Sequence, residues 1–436
     1  MTADERIEAL MALHPKGFDL SLGRITRLLA QLGDPHTKLP PVIHVAGTNG
    51  KGSTVAFCRA IAEAAGLRTH VHTSPHLVRW HERFRLDGAL VEDAILSDAI
   101  DRVARANDGQ PITVFELLTV TMFVLFSEVP ADLCIIEVGL GGRFDATNIM
   151  ETTTLSVITP VSMDHESFLG DTLEKIAFEK AGIIKQRGSV VIAPQEPAAQ
   201  AVLEQQAARQ RAQVLSFGEH FSAHVESGRL LVQTQTNLFD LPLPRLPGSH
   251  QCENAATAVI ALQQFSKRTG LPVRHSHMEA GLKAVQWPAR MQCLNRGALI
   301  ECLPVGSDLW LDGGHNPAAA VRACEFLADL EERDPRPLFL VAGMINTKDA
   351  GGYFTPFVSL AESVMAVPVP SSQAGIPAHE LAEAARSVGL AATSAQSVPQ
   401  ALQQLAHGRE HPIRVLICGS LYLAGTALEE NGTLPD

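Results

Sequence analysis

The sequence predicts an α/β protein: a phosphate-loop, parallel-sheet ATPase domain with a small β appendage, followed by a smaller Rossmann-like α/β domain. Three observations carry that prediction. Val42-Ile43-His44-Val45-Ala46 is a mostly apolar, strand-like run that enters Gly47-Thr48-Asn49-Gly50-Lys51-Gly52-Ser53-Thr54, and a helical pattern follows from Val55 to Ala62. Strand-length apolar runs alternate with helical stretches, most regularly beyond residue 288. Polar or glycine-rich segments follow several of those runs, at the carboxyl edge of a parallel sheet, where ligands bind.

The first motif has the anatomy of a phosphate loop. Glycines let backbone N–H groups converge on phosphate oxygens with no Cβ in the way. The helix N-terminus adds partial positive charge. Lys51 would reach the outer phosphates, and a hydroxyl from Ser53 or Thr54 would hold Mg²⁺. The spacing departs from the usual Gly-x-x-x-x-Gly-Lys-Ser/Thr, because position 45 is Val and Gly52 separates Lys51 from Ser53. A glycine-rich turn without a ligand is the alternative, and the flanking strand and helix favour the phosphate loop.

In chain order, residues 3–13 and 18–33 carry apolar side chains at helical spacing, with Leu20, Gly23, Ile25, Leu28, Leu29 and Leu32 near one stripe. Gly33-Asp34-Pro35 ends the second helix. A strand over Gly66–His72 runs into Thr73-Ser74-Pro75-His76-Leu77, which reads as a substrate loop or as a plain Ser-Pro turn. Helices follow over 91–106 and 113–128. Phe115 and Glu116 open the second, and Glu116 is either a first-turn residue favoured by the helix dipole or a substrate contact. The strand Asp132–Gly139 carries Glu137 at its end, a carboxylate costly to bury unless a cation or metal pairs with it. In a phosphate-loop fold this strand supplies the acid that orients Mg²⁺. No helix opens after Gly139-Leu140-Gly141-Gly142, so these glycines are not a dinucleotide fingerprint.

The strand Thr154–Thr159 leads to Asp164 and His165, which are structural or metal-binding. A helix from Asp171 to Gly182 places Lys180 near its C-terminus, where dipole compensation alone explains it. A strand over 189–193, a helix over 197–211 and short β-like runs over 213–247, the appendage, come next. Ser249–Asn254 opens an Ala-rich helix over 254–266. His250 and Asn254 lie at i, i+4 spacing and would share a face, capping the helix or meeting a nucleotide base. Gln286–Met291 is the domain boundary, giving domains 1–288 and 289–436. Beyond it, Trp310-Leu311-Asp312 ends a strand and Gly313-Gly314-His315-Asn316-Pro317 turns into a helix over 318–331. Strands near 337–342, 362–367 and 413–418 then alternate with helices near 377–388, 397–407 and 420–428. This second domain lacks a phosphate loop, so the chain is expected to hold one ATP site.

Composition narrows the function. The formal net charge of −12 argues against a nucleic-acid partner. No run of about twenty consecutive apolar residues occurs, so no membrane span is expected. The first residues lack a signal peptide's apolar run, and the seven Cys are scattered with no C-x-x-C pair. Both point to a reduced, cytoplasmic protein.

The phosphate loop, Thr73–Leu77, Glu137–Asn148, Asp164-His165, Glu179-Lys180-Ala181-Gly182, Pro288-Ala289-Arg290-Met291 and Asp312–Pro317 occur in one order over roughly residues 40–320. Together they resemble the bifunctional folylpolyglutamate synthase/dihydrofolate synthase family of the Mur ligase superfamily. The resemblance implies an ATP-dependent amide ligase that phosphorylates the carboxylate of dihydropteroate or a folate and joins it to L-glutamate. It implies that Gly47–Thr54 bind ATP, with Gly47, Thr48, Asn49, Gly50, Lys51, Gly52, Ser53 and Thr54 in the loop, and that Asn254, Arg290, Asp312 and His315 contact the nucleotide. It implies two Mg²⁺ sites drawing on Ser53, Glu137, His165 and a carbamylated Lys180, with Lys51, Lys180 and His165 catalytic. Thr73, Ser74, Pro75, His76 and Phe115 match its pterin-binding positions, and the family suggests a monomer. Two departures stand out: Ala289 replaces the more familiar Gly of Pro-Gly-Arg, and Gly314 stands where Ala is commoner. Another Mur-type amino-acid ligase is the runner-up, and Thr73-Ser74-Pro75-His76 argues against it. A regulatory NTPase would need a switch segment, and none is visible.

Overall fold

The computed structural model describes residues 2–13 and 21–435, so Leu20 and the start of the expected second helix lie outside the described residues. The chain divides into two compact units. The first runs to Arg245 and resumes over Cys252–Val285, and the second takes Leu246–Gln251 and everything from Gln286 onward.

The first unit opens with α1 (Ala3–Leu13) and α2 (Gly23–Gln31), whose Ile25, Leu28 and Leu29 are buried. Then come β1 (Val42–Ala46), α3 (Lys51–Ala64), β2 (Thr69–His72), a hairpin of β3 (Phe84–Leu86) and β4 (Ala89–Leu90), α4 (Asp93–Asn107) and α5 (Val114–Glu128). The series continues with β5 (Leu133–Glu137), β6 (Leu155–Ile158), the single-turn α6 (Glu166–Leu169), α7 (Leu173–Ala181), β7 (Ser189–Ile192), α8 (Pro197–Gln210) and β8 (Gln213–Ser216). The eight-stranded sheet has the order β4-β3-β2-β5-β1-β6-β7-β8. From β2 to β8 all neighbours are parallel. β1, β5, β6 and β7 are buried along their whole length, as expected of strands covered on both faces. Leu117, Phe123 and Phe126 of α5 share an apolar cluster with Ile136, each such side chain contributing roughly 1.5–3 kcal/mol by leaving water.

The appendage is smaller than expected. β8 pairs with β7 in the main sheet, because α8 carries the chain back parallel, and only β9 (Phe221–Glu226), β10 (Arg229–Thr234) and β11 (Leu238–Pro242) form the antiparallel sheet. The next helix, α9 (Ser249–Thr269), starts before Asn254, so Ser249–Asn254 are its first turns and not its caps. α10 (His275–Ala284) and the β3–β4 hairpin carry too little periodicity to be read from sequence.

The second unit holds β12 (Gln292–Cys293), β13 (Asp308–Leu311), α11 (Pro317–Arg333), β14 (Leu338–Ala342), α12 (Ala350–Phe354), β15 (Ala361–Ala366) and α13 (Ala378–Ser387). β16 (Ala392–Ser394), α14 (Val398–Ala406), β17 (Arg414–Cys418) and α15 (Leu421–Glu430) complete it. Its sheet order is β12-β13-β17-β14-β15-β16. At the start of β17 the buried Arg414 guanidinium donates to Asp308 Oδ2 at 3.0 Å, Glu331 Oε2 at 3.3 Å and the Asp334 carbonyl at 3.1 Å. Among the described residues no helix is long and apolar enough to cross a membrane.

Candidate active site

Strand register gathers the motifs at one edge. Val45 lies opposite Glu137, Ala46 opposite Ile158, and Ile136 opposite His72. The segments that follow β1, β2, β5 and β6 therefore leave the sheet side by side at its carboxyl edge. After β1 the chain crosses to β2 on one side, and after β5 it crosses to β6 on the other. That reversal is a topological switch point, the usual ligand crevice of open α/β sheets.

The phosphate loop is braced by the segment after β6. The Thr48 and Asn49 amides both donate to the Pro160 carbonyl, at 2.9 and 3.2 Å. The Thr48 hydroxyl donates to the Ser162 carbonyl and accepts from the Ser162 amide, each at 3.1 Å, and Asn49 Nδ2 donates to Ser162 Oγ at 3.0 Å. Thr48 and Asn49 thus form the wall of the loop, and its anion-facing donors are those of the α3 N-terminus. Gly47 has φ +150°, and a Cβ there would sit 1.9 Å from Thr159 Oγ1. Gly50 has φ +82°, and a Cβ there would sit 2.5 Å from Asn254 Oδ1, so Asn254 belongs to the wall of this loop. Lys51 Nζ donates to the Thr48 carbonyl at 3.2 Å, and Ser53 and Thr54 are buried in the first turn of α3.

Beside the loop, the Ser74 amide donates to Glu137 Oε2 at 3.3 Å. Glu137 is buried as its strand position required. The Glu82 carboxylate accepts from the amides of Leu77, Val78 and Arg79 at 2.7–2.9 Å, which shapes the turn after Thr73–His76. Arg83 Nε donates to His76 Nδ1 at 2.9 Å, and the His76 ring packs on Trp80 with centroids 4.3 Å apart. Burial first, then the Arg83 charge, pushes His76 down to about 3, so its imidazole is neutral. The Phe115 ring lies against Gly139. Glu116 accepts from the Thr113 amide at 2.8 Å and from Arg24 Nε at 3.0 Å, which makes it a capping and ion-pairing residue.

The loop after Glu137 is tied to the end of α7. Asp145 accepts from the Leu140 and Thr147 amides, and burial raises its carboxyl above the usual range. Asn148 Nδ2 donates to the Arg143 and Gly182 carbonyls, both at 3.1 Å. Lys180 corrects the sequence reading: it is buried, and its Nζ donates to the Gly47 carbonyl at 2.9 Å. Ile176 and Lys180 lie at i, i+4 on the buried face of α7, so the side chain enters the interior and compensates no exposed helix end. Burial first, then the neighbouring Lys51 charge, lowers its amine to about 7, against the opposing pull of Asp164 and Asp145. His165 opens α6 with φ +53°, and its side chain is 41% exposed beside Asp164.

In the second unit, Asp312 Oδ2 accepts from the Met291 amide at 2.9 Å and Oδ1 from the Gly314 amide at 2.7 Å. Burial raises this carboxyl, and the Arg290 charge opposes the rise. His315 Nδ1 lies 3.1 Å from the Gly313 carbonyl. Arg290, Asp312 and His315 thus form one cluster. His250 feels the same charges: burial, then Arg322 and Arg290, lowers its imidazole to about 4, and it stays at i, i+4 to Asn254 on α9. Ala289 has φ +54°, the left-handed region that favours glycine.

Among the described residues no group of three His, Cys, Asp or Glu side chains could hold a metal ion alone. A hydroxyl, a buried carboxylate and an imidazole beside a phosphate loop suit Mg²⁺, which takes few protein ligands and completes its shell with phosphate and water. Sequence reading missed Thr159, Pro160 and Ser162 as supports. The signal available was a polar, proline-bearing run directly after a strand.

A phosphate-loop sheet followed by a second, mostly parallel α/β unit is the build of a Mur-type ligase, and residues 45–262 match the Mur ligase middle domain. Residues 304–430 match the C-terminal domain of dihydrofolate synthetase. The chain is 32% identical over 425 residues to the dihydrofolate synthase/folylpolyglutamate synthase of Escherichia coli, covering 96% of this chain and 92% of that protein. It superposes on E. coli FolC in complex with DHPP and ADP with a TM-score of 0.87, at 29% identity and over 98% and 97% of the two chains. A bifunctional folylpolyglutamate synthase/dihydrofolate synthase with Mn, AMPPNP and L-glutamate bound gives a TM-score of 0.85 at 29% identity, over 98% of each chain. The chain belongs to the dihydrofolate synthase/folylpolyglutamate synthase family.

Proposed function

We propose that this chain joins L-glutamate to dihydropteroate, and to folates, in ATP-dependent reactions through an acyl phosphate. The observation that carries the reading is the Ser74–Glu137 hydrogen bond, which ties the expected pterin loop to the carboxylate beside the phosphate loop. A substrate carboxylate oxygen attacks the γ-phosphorus of ATP and ADP leaves. The glutamate amine then attacks the acyl carbon, phosphate leaves and a proton is released. Phosphorylation is needed because a carboxylate's own leaving group would be oxide.

Gly47–Thr54 and Asn254 take the nucleotide in the first unit, and Arg290, Asp312 and His315 take it in the second. Lys51 neutralises charge on the transferred phosphoryl group. Thr73–His76 and Phe115 hold the pterin. Ser53, Glu137, His165 and a carbamylated Lys180 would hold Mg²⁺ at two sites, where the ions supply charge neutralisation on the phosphates. Burial of the Lys180 amine beside Lys51 supports the modification, because a less basic amine adds CO₂ and releases a proton more readily. The carbamate nitrogen keeps one hydrogen, so the bond to the Gly47 carbonyl survives the change. As an unmodified ammonium, Lys180 would repel the cation. The domains are 1–288 and 289–436 apart from Leu246–Gln251, which group with the second unit, and the enzyme acts as a cytoplasmic monomer without nucleic-acid or membrane partners. ATP turnover that needs both dihydropteroate and glutamate tests the reading; turnover indifferent to either overturns it.

A further inference from the structure

The structure assigns a positioning role to Gln195, a residue outside every motif named above. Gln195 lies in the turn between β7 and α8. Its Oε1 accepts from the Val161 amide at 2.9 Å, and its Nε2 donates to the Thr159 carbonyl at 3.1 Å. These two backbone groups flank Pro160. The carboxamide therefore clips both sides of the residue whose carbonyl holds the Thr48 and Asn49 amides. The orientation is unambiguous, because an N–H must meet the oxygen and a carbonyl must meet the NH₂.

Pro160 itself has no N–H to hold its peptide, so its carbonyl is fixed through its neighbours. Thr159 holds the near side, with its amide 2.8 Å from the Ala46 carbonyl and its hydroxyl 3.3 Å from the same oxygen. Gln195 holds the far side at Val161, and the Ser162 bonds to Thr48 lie one residue further on. The same segment runs on to Asp164 and His165. Loss of the clip leaves the Pro160 carbonyl positioned only by the Thr159 and Ser162 anchors, which loosens its hold on the Thr48 and Asn49 amides. Gln195 thus acts on nucleotide binding through the Pro160 carbonyl and touches no substrate itself. The inference rests on the phosphate loop being the nucleotide site.

The test measures ADP affinity by calorimetry, KM for ATP and for dihydropteroate, and the melting temperature of the ligand-free chain. Gln195→Leu removes both hydrogen bonds at similar volume. It should weaken ADP and raise KM for ATP by roughly tenfold, leaving KM for dihydropteroate within about twofold. Gln195→Glu keeps the acceptor but turns a second oxygen toward the Thr159 carbonyl when ionised. When protonated it regains the donor. Its ADP affinity, taken relative to wild type, should be weakest near pH 8 and recover as the pH approaches about 6. ADP affinity within about twofold of wild type in both variants overturns the assignment. So does a fall in melting temperature with unchanged nucleotide parameters, or a Gln195→Glu deficit that is the same at every pH. Failure of the phosphate-loop reading looks different: Lys51→Ala would then bind ADP as wild type does.

Discussion

The two sheets of this protein treat buried charge in opposite ways. In the second unit, Arg414 sits at the amino-terminal start of β17 and is saturated by Asp308, Glu331 and a backbone carbonyl. In the first unit, Lys180 sits at the carboxyl edge with its amine lowered to about 7 by burial and by Lys51. A saturated buried ion pair holds a fold in register, whereas a charge kept away from its ordinary ionisation is a mark of chemistry. The difference is sharpest in what each substitution should do.

The largest expected effect is on turnover. Lys51→Ala should cut ligase activity about a thousandfold or more, with the far-UV spectrum unchanged. Lys180→Ala and Lys180→Arg should be similarly inactive, and short carboxylic acids should partly restore Lys180→Ala by standing in for the carbamate. Full activity in Lys180→Arg would refute the carbamate. Lys180→Met should not destabilise the Mg²⁺-free chain, because it removes a buried cation, and chemical denaturation should show a gain of about 1 kcal/mol.

Arg414→Met should do the reverse. It removes the guanidinium from Asp308 and Glu331 and should cost about 3 kcal/mol, the low end for a broken buried pair, because Asp308 keeps Trp310 Nε1 and Arg336, and the part-exposed Glu331 keeps the Arg336 amide. Activity per folded molecule should be unchanged. A stable but inactive Arg414→Met would erase the contrast between the sheets.

Acid should separate the units more gently. Burial lowers His44, His72 and His76 of the first unit, the last two to about 3. An unfolded chain protonates these rings below about pH 6.5 while the folded one does not, so stability is lost as pH falls from there towards about 3. Each ring contributes up to about 1.4 kcal/mol per pH unit in that window. His250, lowered to about 4, acts alike in the second unit. Asp145 and Asp312, raised by burial, offset part of the loss, one in each unit. Hydrogen exchange at stepwise lower pH should therefore show the first unit opening before the second.

The smallest effect concerns Ala289. Its φ of +54° stores strain that glycine would relieve, less the entropy glycine adds to the unfolded chain. Ala289→Gly should stabilise the second unit by up to about 1 kcal/mol in thermal denaturation, with activity retained.

Much of this was readable from the sequence because the motifs obey local rules. Val42–Thr54 shows strand, loop and helix in order, and Glu137 declares itself by ending an apolar strand. Lys180 was not readable, because its burial depends on which face of α7 meets the sheet. Nor was the placement of Gln213–Ser216, since a short run of mixed polarity suits the main sheet's edge as well as an appendage. Gln195 hides for a related reason. Its partners are backbone atoms of another loop, and no residue pattern announces them.

The strand order also sets a timetable for biosynthesis. β1 lies between β5 and β6, so none of the first ninety or so residues after it offers a partner strand to it. The ribosome must deliver the chain to Leu133 before β1 can pair at all, and to Leu155 before both its edges are covered. Until then the apolar β1 is an unpaired edge, of the kind that draws chaperones and aggregates when exposed. Contacts so distant in sequence close slowly. The wall of the phosphate loop therefore closes only when β6 and the Pro160 segment arrive, more than a hundred residues after the loop itself, and Asn254 joins that wall later still.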